Sequence, residues 1–95
     1  MVSPAHVTSV SNIGPGTAAD IDSGTLTTAG SNTLLFAMCL SGGSASPVAP
    51  FTQRSGFNSN FTADLVVSAP GMYQAAGTNN SMSEWVIVLS AFRGF

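Results

Sequence analysis

The chain has 95 residues, of which 44% are hydrophobic and only 6% charged, and its formal net charge is −2. Its only fixed cations are two arginines, which excludes the Lys/Arg cluster that nucleic acid or an anionic membrane surface requires. High apolar content with few charges also argues against intrinsic disorder. The length allows one domain, which we predict over residues 1–95 with a short N-terminal arm at 1–5.

Two further features concern the cellular compartment. The apolar runs are shorter than the ~20 residues that a transmembrane helix needs. Residues 1–4 carry neither a charged segment nor an apolar one of the kind that opens a secretory signal, so we expect synthesis in the cytoplasm. Cys39 is the only cysteine, and its place inside an apolar run predicts a buried, inert thiol. Packing and strand pairing must therefore supply the stability.

Short β-type runs alternate with turn signals along the whole chain, and no segment shows helical periodicity of useful length. Gly14-Pro15-Gly16 and Pro70-Gly71 mark two of the breaks, and residues 42–50 read as a loop with two prolines. The pattern predicts an all-β fold, a single antiparallel β-sandwich or jelly roll of about seven short strands. The predicted strands are 6–13, 23–28, 33–41, 51–54, 61–68, 72–76 and 84–95.

Two of these runs, 33–41 and 84–95, are apolar on both alternating faces. A strand on the outside of a small monomeric domain should present one polar face to water. We therefore predict that something outside the chain covers one of the sheets. The candidate assembly interface consists of the side chains that alternate away from Trp85 in the last strand, together with the terminal phenylalanine. These residues are Val86, Val88, Phe92 and Phe95.

The candidate core consists of large apolar side chains on three predicted strands. In 61–68 the alternation is clean, with Thr62 and Asp64 on the opposite face. The strand 33–41 is apolar on both faces. The predicted core residues are Leu34, Phe36, Met38, Leu65, Val67, Trp85, Ile87 and Leu89.

Candidate metal ligands are few. Asp20-Ile21-Asp22-Ser23-Gly24 has the spacing that opens many calcium loops, but it lacks a bidentate glutamate at the expected distance. Asp20 and Asp22 are better explained as solvent-exposed carboxylates in a loop. His6 has no cysteine or second histidine to complete a zinc site. We predict no metal and no cofactor.

The residue patterns also argue against catalysis and against sugar binding. The serines lack a G-x-S-x-G turn and a suitable base. Asp64 and Glu84 could be paired on paper as glycosidase carboxylates, but both occupy positions where solvated side chains are the norm. Trp85 and Tyr73 could form a sugar-stacking platform, although the only tryptophan opens a strongly apolar strand, which favours core packing. We predict that the protein is not an enzyme.

Four segments together carry a family resemblance. A polar turn leads into an apolar Asn-Thr-Leu-Leu strand at 30–37, followed by Pro-Phe-Thr at 50–52, a strand and turn at 62–71, and Trp-Val-Ile-Val-Leu-Ser-Ala-Phe-Arg-Gly within 83–94. This order resembles small, jelly-roll-like β-sandwich domains of bacteriophage structural proteins and of some bacterial surface proteins. The likeness covers residues 30–94. It departs in a shorter middle and in Phe51, where tryptophan is common, and it implies no catalytic residues.

The resemblance implies an assembly function. We predict a phage virion component, a capsid decoration protein or a small tail or fibre subunit, which assembles with copies of itself and with other virion proteins. Its expected location is the virion. The alternatives are a carbohydrate- or receptor-binding module, with a glycan as partner, and a subunit of an extracellular filament at the cell surface.

Overall fold

A computed structural model describes residues 5–14, 20–29, 32–43, 45–57, 60–79 and 84–93. Within these ranges the chain forms eight β-strands and no helix. The strands are β1 (Ala5–Gly14), β2 (Asp20–Thr28), β3 (Thr33–Ser41), β4 (Ala45–Pro47), β5 (Thr52–Phe57), β6 (Asn60–Val67), β7 (Gly71–Asn79) and β8 (Trp85–Arg93).

The strands form two antiparallel sheets that enclose one apolar layer. The larger sheet has five strands in the order β1-β8-β3-β6-β5, and the smaller has three in the order β2-β7-β4. Side chains alternate along each strand, so one face of each sheet supplies the core. The predicted all-β sandwich is therefore confirmed, with eight strands in the described residues where about seven were expected.

The core face of the two central strands, β3 and β8, pairs large side chains with smaller ones across the ladder. Such pairing keeps the layer thin enough for both sheets to pack on it at close to crystalline density. All six residues are at most 1% exposed. The pairs are Leu35 with Ala91, Ala37 with Leu89, and Cys39 with Ile87.

The smaller sheet reaches the core through a bulge in β2. The register against β7 shifts between Asp22 and Thr25, and Gly24 in the bulge has a φ of 83°, a conformation that glycine adopts readily. The buried Ser23 hydroxyl accepts a hydrogen bond from the Ala75 N–H at 3.0 Å. A side chain thus satisfies a backbone donor that the interrupted ladder leaves without a strand partner.

The prediction of the core in β3 has to be corrected. Leu34, Phe36 and Met38 lie on the face of the five-stranded sheet that points away from the core, and Leu35 and Ala37 take the core positions. Leu34, Phe36 and Met38 are kept out of the core because Ile87 and Leu89 of the neighbouring strand β8 already place large side chains between the two sheets. The other predicted core residues lie inward: Val67, Trp85, Ile87 and Leu89 are buried, and Leu65 is partly buried against them.

The predicted loop at 42–50 also needs correction, because it contains β4. Ala45, Ser46 and Pro47 pair with Asn79, Thr78 and Gly77 of β7. Proline lacks an N–H and is therefore tolerated only where a ladder bond is not needed, as at a sheet edge. A three-residue strand with a proline carries no β-type pattern in the sequence.

Gly14 gives a test of the packing at the end of β1. A Cβ atom at this position would come within 2.3 Å of the Trp85 indole ring, and Trp85 is only 8% exposed. We expect Gly14→Ala to lower the free energy of unfolding by about 1–3 kcal/mol, because a rigid, buried ring cannot move aside. Urea denaturation followed by tryptophan fluorescence measures the change.

The matched control is Gly56→Ala in β5. Its Cβ would meet only the end of the Gln53 side chain, at 2.5 Å from Nε2, and that exposed chain can rotate away. We expect this variant to stay within about 0.5 kcal/mol of the wild type. Equal stability of the two variants would show that the Trp85 ring is not held in place.

Candidate functional site

The side of the five-stranded sheet that points away from the core is apolar along β3 and most of β8, and it carries polar side chains on β6, among them Thr62 and Asp64. We call this side the outer face. Its residues are placed by the registers of β1, β6 and β8 against their neighbours. Ile13, Val86 and Leu40 form one row across β1, β8 and β3, and Phe92, Leu34 and Val66 form another across β8, β3 and β6. Val88, Met38 and Phe36 lie between these rows.

Five large apolar side chains of the outer face are strongly exposed. They differ from scattered surface apolar residues because the registers make them members of one contiguous patch. By contrast, the outward side of β2 and β7 exposes mainly small or polar side chains, such as Thr25, Thr27, Gln74 and Thr78, beside Met72. The exposed fractions on the outer face are 69% for Ile13, 62% for Val66, 47% for Leu40, 45% for Met38 and 38% for Val88.

The size of this face bears on what could cover it. Five strands spaced about 4.8 Å apart, with about nine residues each at about 3.3 Å per residue, span roughly 20 by 30 Å, or about 600 Å². The largest apolar patch of a typical monomer is about 300–600 Å², and a stable protein interface buries about 800 Å² per partner. The whole outer face, its polar side chains included, is therefore somewhat smaller than one side of a typical stable protein interface.

The outer face is not flat and contains two depressions. One depression lies at the end of β1, β8 and β3 beside Ile13, Leu40 and Val86, and another lies between β3 and β5 beside Met38 and Leu40. The Leu40 side chain borders both. Leu40 thus separates the two depressions, and the second is lined by polar Ser55, Asn60 and Thr62 as well.

A single ion pair borders the outer face among the described residues. Arg54 on β5 donates from Nε to Asp64 Oδ2 at 2.9 Å and from a terminal guanidinium nitrogen to Oδ1 at 3.0 Å. These hydrogen bonds raise the pKa of Arg54 above its ordinary value. The two charges satisfy each other, so the apolar rows beside them carry no unpaired charge from this pair.

The predicted interface residues fall partly in this patch. Val86, Val88 and Phe92 lie on the outer face, Val88 exposed and the other two half-buried. Phe95 lies outside the described residues. Ile13, Leu40 and Val66 also belong to the face and were not predicted as interface. The alternation in 61–68 had placed Val66 outward, but nothing in the sequence linked it to the last strand.

The candidate metal ligands do not converge in the described part of the chain. No group of three or more His, Cys, Asp or Glu side chains occurs there. Asp22 Oδ1 accepts the Gly24 N–H at 2.7 Å, so this carboxylate stabilises the β2 bulge. Asp20 and His6 lie in β2 and β1 by their backbones. The Asp-x-Asp-x-Gly spacing is thus accounted for by a turn around a positive φ.

The two carboxylates considered for glycoside hydrolysis are far apart. Asp64 lies opposite Phe36 of β3, and Glu84 accepts the Gly42 N–H through its backbone carbonyl at 2.9 Å. Six residues of β3 separate these positions, which is about 20 Å along the strand. Glycosidase carboxylates are about 5–9.5 Å apart. Asp64 is in addition occupied by Arg54.

The aromatic side chains considered for sugar stacking do not form a platform. Trp85 is buried beside Gly14, and its Nε1 has no hydrogen-bond partner among the described residues. Tyr73 belongs to the other sheet, where its hydroxyl donates to the Ala69 carbonyl at 2.6 Å. The two rings therefore do not share an exposed surface.

None of the described residues forms a helix long and apolar enough to cross a bilayer. Comparisons with protein families, with curated proteins and with solved structures found no significant match. The likeness to phage and surface β-sandwich domains therefore stays a prediction from the sequence. The function has to be argued from the outer face itself.

The titration of Cys39 tests whether its side chain is shielded from solvent in the folded protein. Its thiol is fully buried, and burial raises its pKa to about 11. The unfolded chain releases this proton near pH 9, whereas the folded chain keeps it up to about pH 11. The free energy of unfolding should therefore fall across that window relative to Cys39→Ala, and the difference between the two proteins should be constant below it.

Reaction with a thiol reagent gives the complementary measurement. At pH 8 we expect labelling of Cys39 only as fast as the protein opens, and complete labelling in denaturant, because the thiolate is the reactive form. Rapid labelling of the folded protein would contradict the burial of this side chain.

Proposed function

We propose that the protein is a non-enzymatic assembly subunit whose outer face is covered by another protein surface in the working state. The observation that carries the proposal is the contiguous apolar patch on the five-stranded sheet, together with the mainly polar outward side of the three-stranded sheet. A sheet with one solvated side ordinarily alternates apolar and polar residues. The outer face departs from that pattern on two adjacent strands, β3 and β8.

The driving force for covering this face is apolar burial. Burying apolar surface contributes about 25 cal/mol per Å², so the apolar part of this face, about half of its roughly 600 Å², offers on the order of 7 kcal/mol per copy before association costs. Charge contributes little to this surface, because Arg54 and Asp64 neutralise each other at its border. The expected partner surface is accordingly apolar and uncharged.

Within this class we propose a phage virion component, such as a capsid decoration protein or a small tail or fibre subunit. The resemblance of residues 30–94 to such β-sandwich domains supports this narrower proposal, as does a surface rich in Ser, Thr and Asn with few charges. Subunits packed among others do not need the charged surface that keeps free proteins apart. The same proposal places the protein in the virion, in contact with copies of itself and with other virion proteins.

Assembly should fail when a charge is placed on the outer face. We expect Val88→Lys and Met38→Lys each to weaken self-association or particle binding at least about tenfold, because a lysine would be desolvated in the contact. Thr27→Lys, on the exposed outward side of β2, is the matched control and should assemble as the wild type does. Sedimentation velocity over a concentration series measures the effect.

The results of this experiment distinguish an assembly subunit from a carbohydrate-binding module. A wild type that stays monomeric at high micromolar concentration and binds no virion particle would overturn the assembly function. A stable monomer that binds a defined glycan would instead favour the carbohydrate-binding alternative. Val88→Lys must keep the melting temperature of the isolated subunit for its loss of assembly to be attributed to the face.

The assembled state should tolerate salt. Raising sodium chloride from about 0.1 to 1 M shortens the screening length from roughly 10 to 3 Å, which weakens contacts between exposed charges. Apolar burial is not screened, so we expect an unchanged sedimentation coefficient. Dissociation at high salt would show that charged groups, and not the apolar rows, hold the subunits together.

A further inference from the structure

The sulfur-containing side chains of the described residues differ sharply in their access to solvent. Two of the four methionines fall in this part of the chain, and they are strongly exposed, Met38 at 45% and Met72 at 73%. The thiol of Cys39 is fully buried, and burial raises its pKa to about 11, so it is neither accessible nor ionised at neutral pH. A peroxide that meets the folded subunit therefore oxidises these methionines before it oxidises the cysteine.

The two exposed methionines lie on opposite sides of the sandwich. Met38 belongs to the outer face, where it lies between Val88 of β8 and Thr62 of β6. Met72 belongs to β7, where it pairs with Thr27 of β2 on the outward side of the three-stranded sheet. A partner on the outer face would cover Met38 and leave Met72 in solvent.

Met38 stands at the boundary between the apolar and the polar part of the outer face. The registers place Thr62 beside Met38 and Ser55 beside Thr62, and all three line one depression. The Ser55 and Thr62 hydroxyl oxygens are 2.7 Å apart. One hydrogen lies between these two oxygens, so the second hydroxyl hydrogen is left for another acceptor. The thioether sulfur of methionine is only a weak acceptor, whereas an oxygen atom bound to that sulfur is a strong one.

We propose that Met38 is a site of oxidation by peroxides, and that its sulfoxide form releases the partner from the outer face. The proposal rests on the proposed function, because it concerns the regulation of the same surface. A lone pair of the Met38 sulfur attacks one peroxide oxygen, so that an S–O bond forms while the O–O bond breaks. The sulfur loses two electrons, and hydrogen peroxide is reduced to one molecule of water.

Oxidation disfavours the contact for two reasons. The sulfoxide is polar, and its oxygen accepts more hydrogen bonds than the one hydroxyl hydrogen of the Ser55–Thr62 pair can supply. Water supplies the others in the free subunit, and a covering partner would exclude that water at a cost. The hydroxyl pair also draws the oxidised side chain towards β6, away from Val88 and the apolar part of the face.

The contact should in turn protect Met38 from oxidation. Peroxide has to reach the sulfur atom, so Met38 should be oxidised more slowly in the assembled state than in the free subunit. Met72 lies on the opposite sheet and should be oxidised at the same rate in both states. The ratio of the two rates therefore reports on the outer face alone.

Treatment with hydrogen peroxide tests the proposal on the wild type, Met38→Leu and Met72→Leu. Leucine is close to methionine in volume and has no sulfur, so both variants should assemble before treatment. After treatment we expect the wild type and Met72→Leu to associate at least about tenfold more weakly, and Met38→Leu to associate as before. Sedimentation velocity measures association, and peptide mass mapping counts the oxygen atoms added at each methionine.

Two controls separate the effect of Met38 from other damage. Met1 and Met82 lie outside the described residues and are present in all three proteins, so they cannot account for a difference between the variants. The melting temperature is measured at a dilution where the subunit is monomeric. It should be the same before and after oxidation of the wild type, because the sulfoxide forms on a solvent-exposed side chain.

The proposal and the proposed function fail in different ways. Undiminished association of the wild type with Met38 fully oxidised would overturn the proposal, and so would an equal loss of association in Met38→Leu. Equal oxidation rates of Met38 in the free and assembled states would contradict its place under the partner. If Val88→Lys still abolishes assembly in these cases, the proposed function stands. A wild type that does not assemble before peroxide is added would overturn both.

Discussion

The packing of β3 against β8 constrains the rest of this sandwich. The layer between the sheets is thin, and the two central strands fill it by placing Leu35 opposite Ala91 and Leu89 opposite Ala37. Each row thus holds one large side chain and one small one, which is how two sheets reach dense packing without strain. The bulkier alternate residues of β3 are left on the other side of the sheet.

The apolar outer face is a direct consequence of that constraint. Phe36 and Met38 cannot be accommodated in the layer, yet they remain on a strand at the centre of the larger sheet. Val88 on β8 and Val66 on β6 extend the same surface on either side. A small domain thereby acquires an exposed hydrophobic patch on its larger sheet in addition to its core.

The edge strands of the two sheets differ in how readily another strand could pair with them. Arg54 with its bulge, the short β4 with Pro47, and the Gly24 bulge of β2 all interrupt backbone rows that another strand could join. β1 differs from them in its length of ten residues and in its lack of charged residues and proline. The proposed assembly uses the outer face, where Arg54 and Asp64 neutralise each other, so its driving force is apolar burial and not charge attraction.

Local sequence patterns were sufficient to predict the fold class and, for the strand at 61–68, which side chains face the core. Alternation in 61–68 predicted that Phe61, Ala63 and Val67 face inward and Val66 outward, because polar Thr62 and Asp64 mark the solvent side. In 33–41 the interior residues are apolar on both sides, so no alternation distinguishes the two rows, and the predicted row of Leu34, Phe36 and Met38 was the wrong one. The three-residue β4 was missed because so short a strand has no periodicity of its own.

What the sequence by itself determined is the all-β class, the lack of charge, and the presence of two strands with more apolar surface than one core can hold. Those properties depend on composition and period, which are local. Only the tertiary structure decided which row of β3 enters the core and which strands become edges. Both depend on strand pairing across long sequence separations, such as β1 with β8, and on the volume left between the sheets.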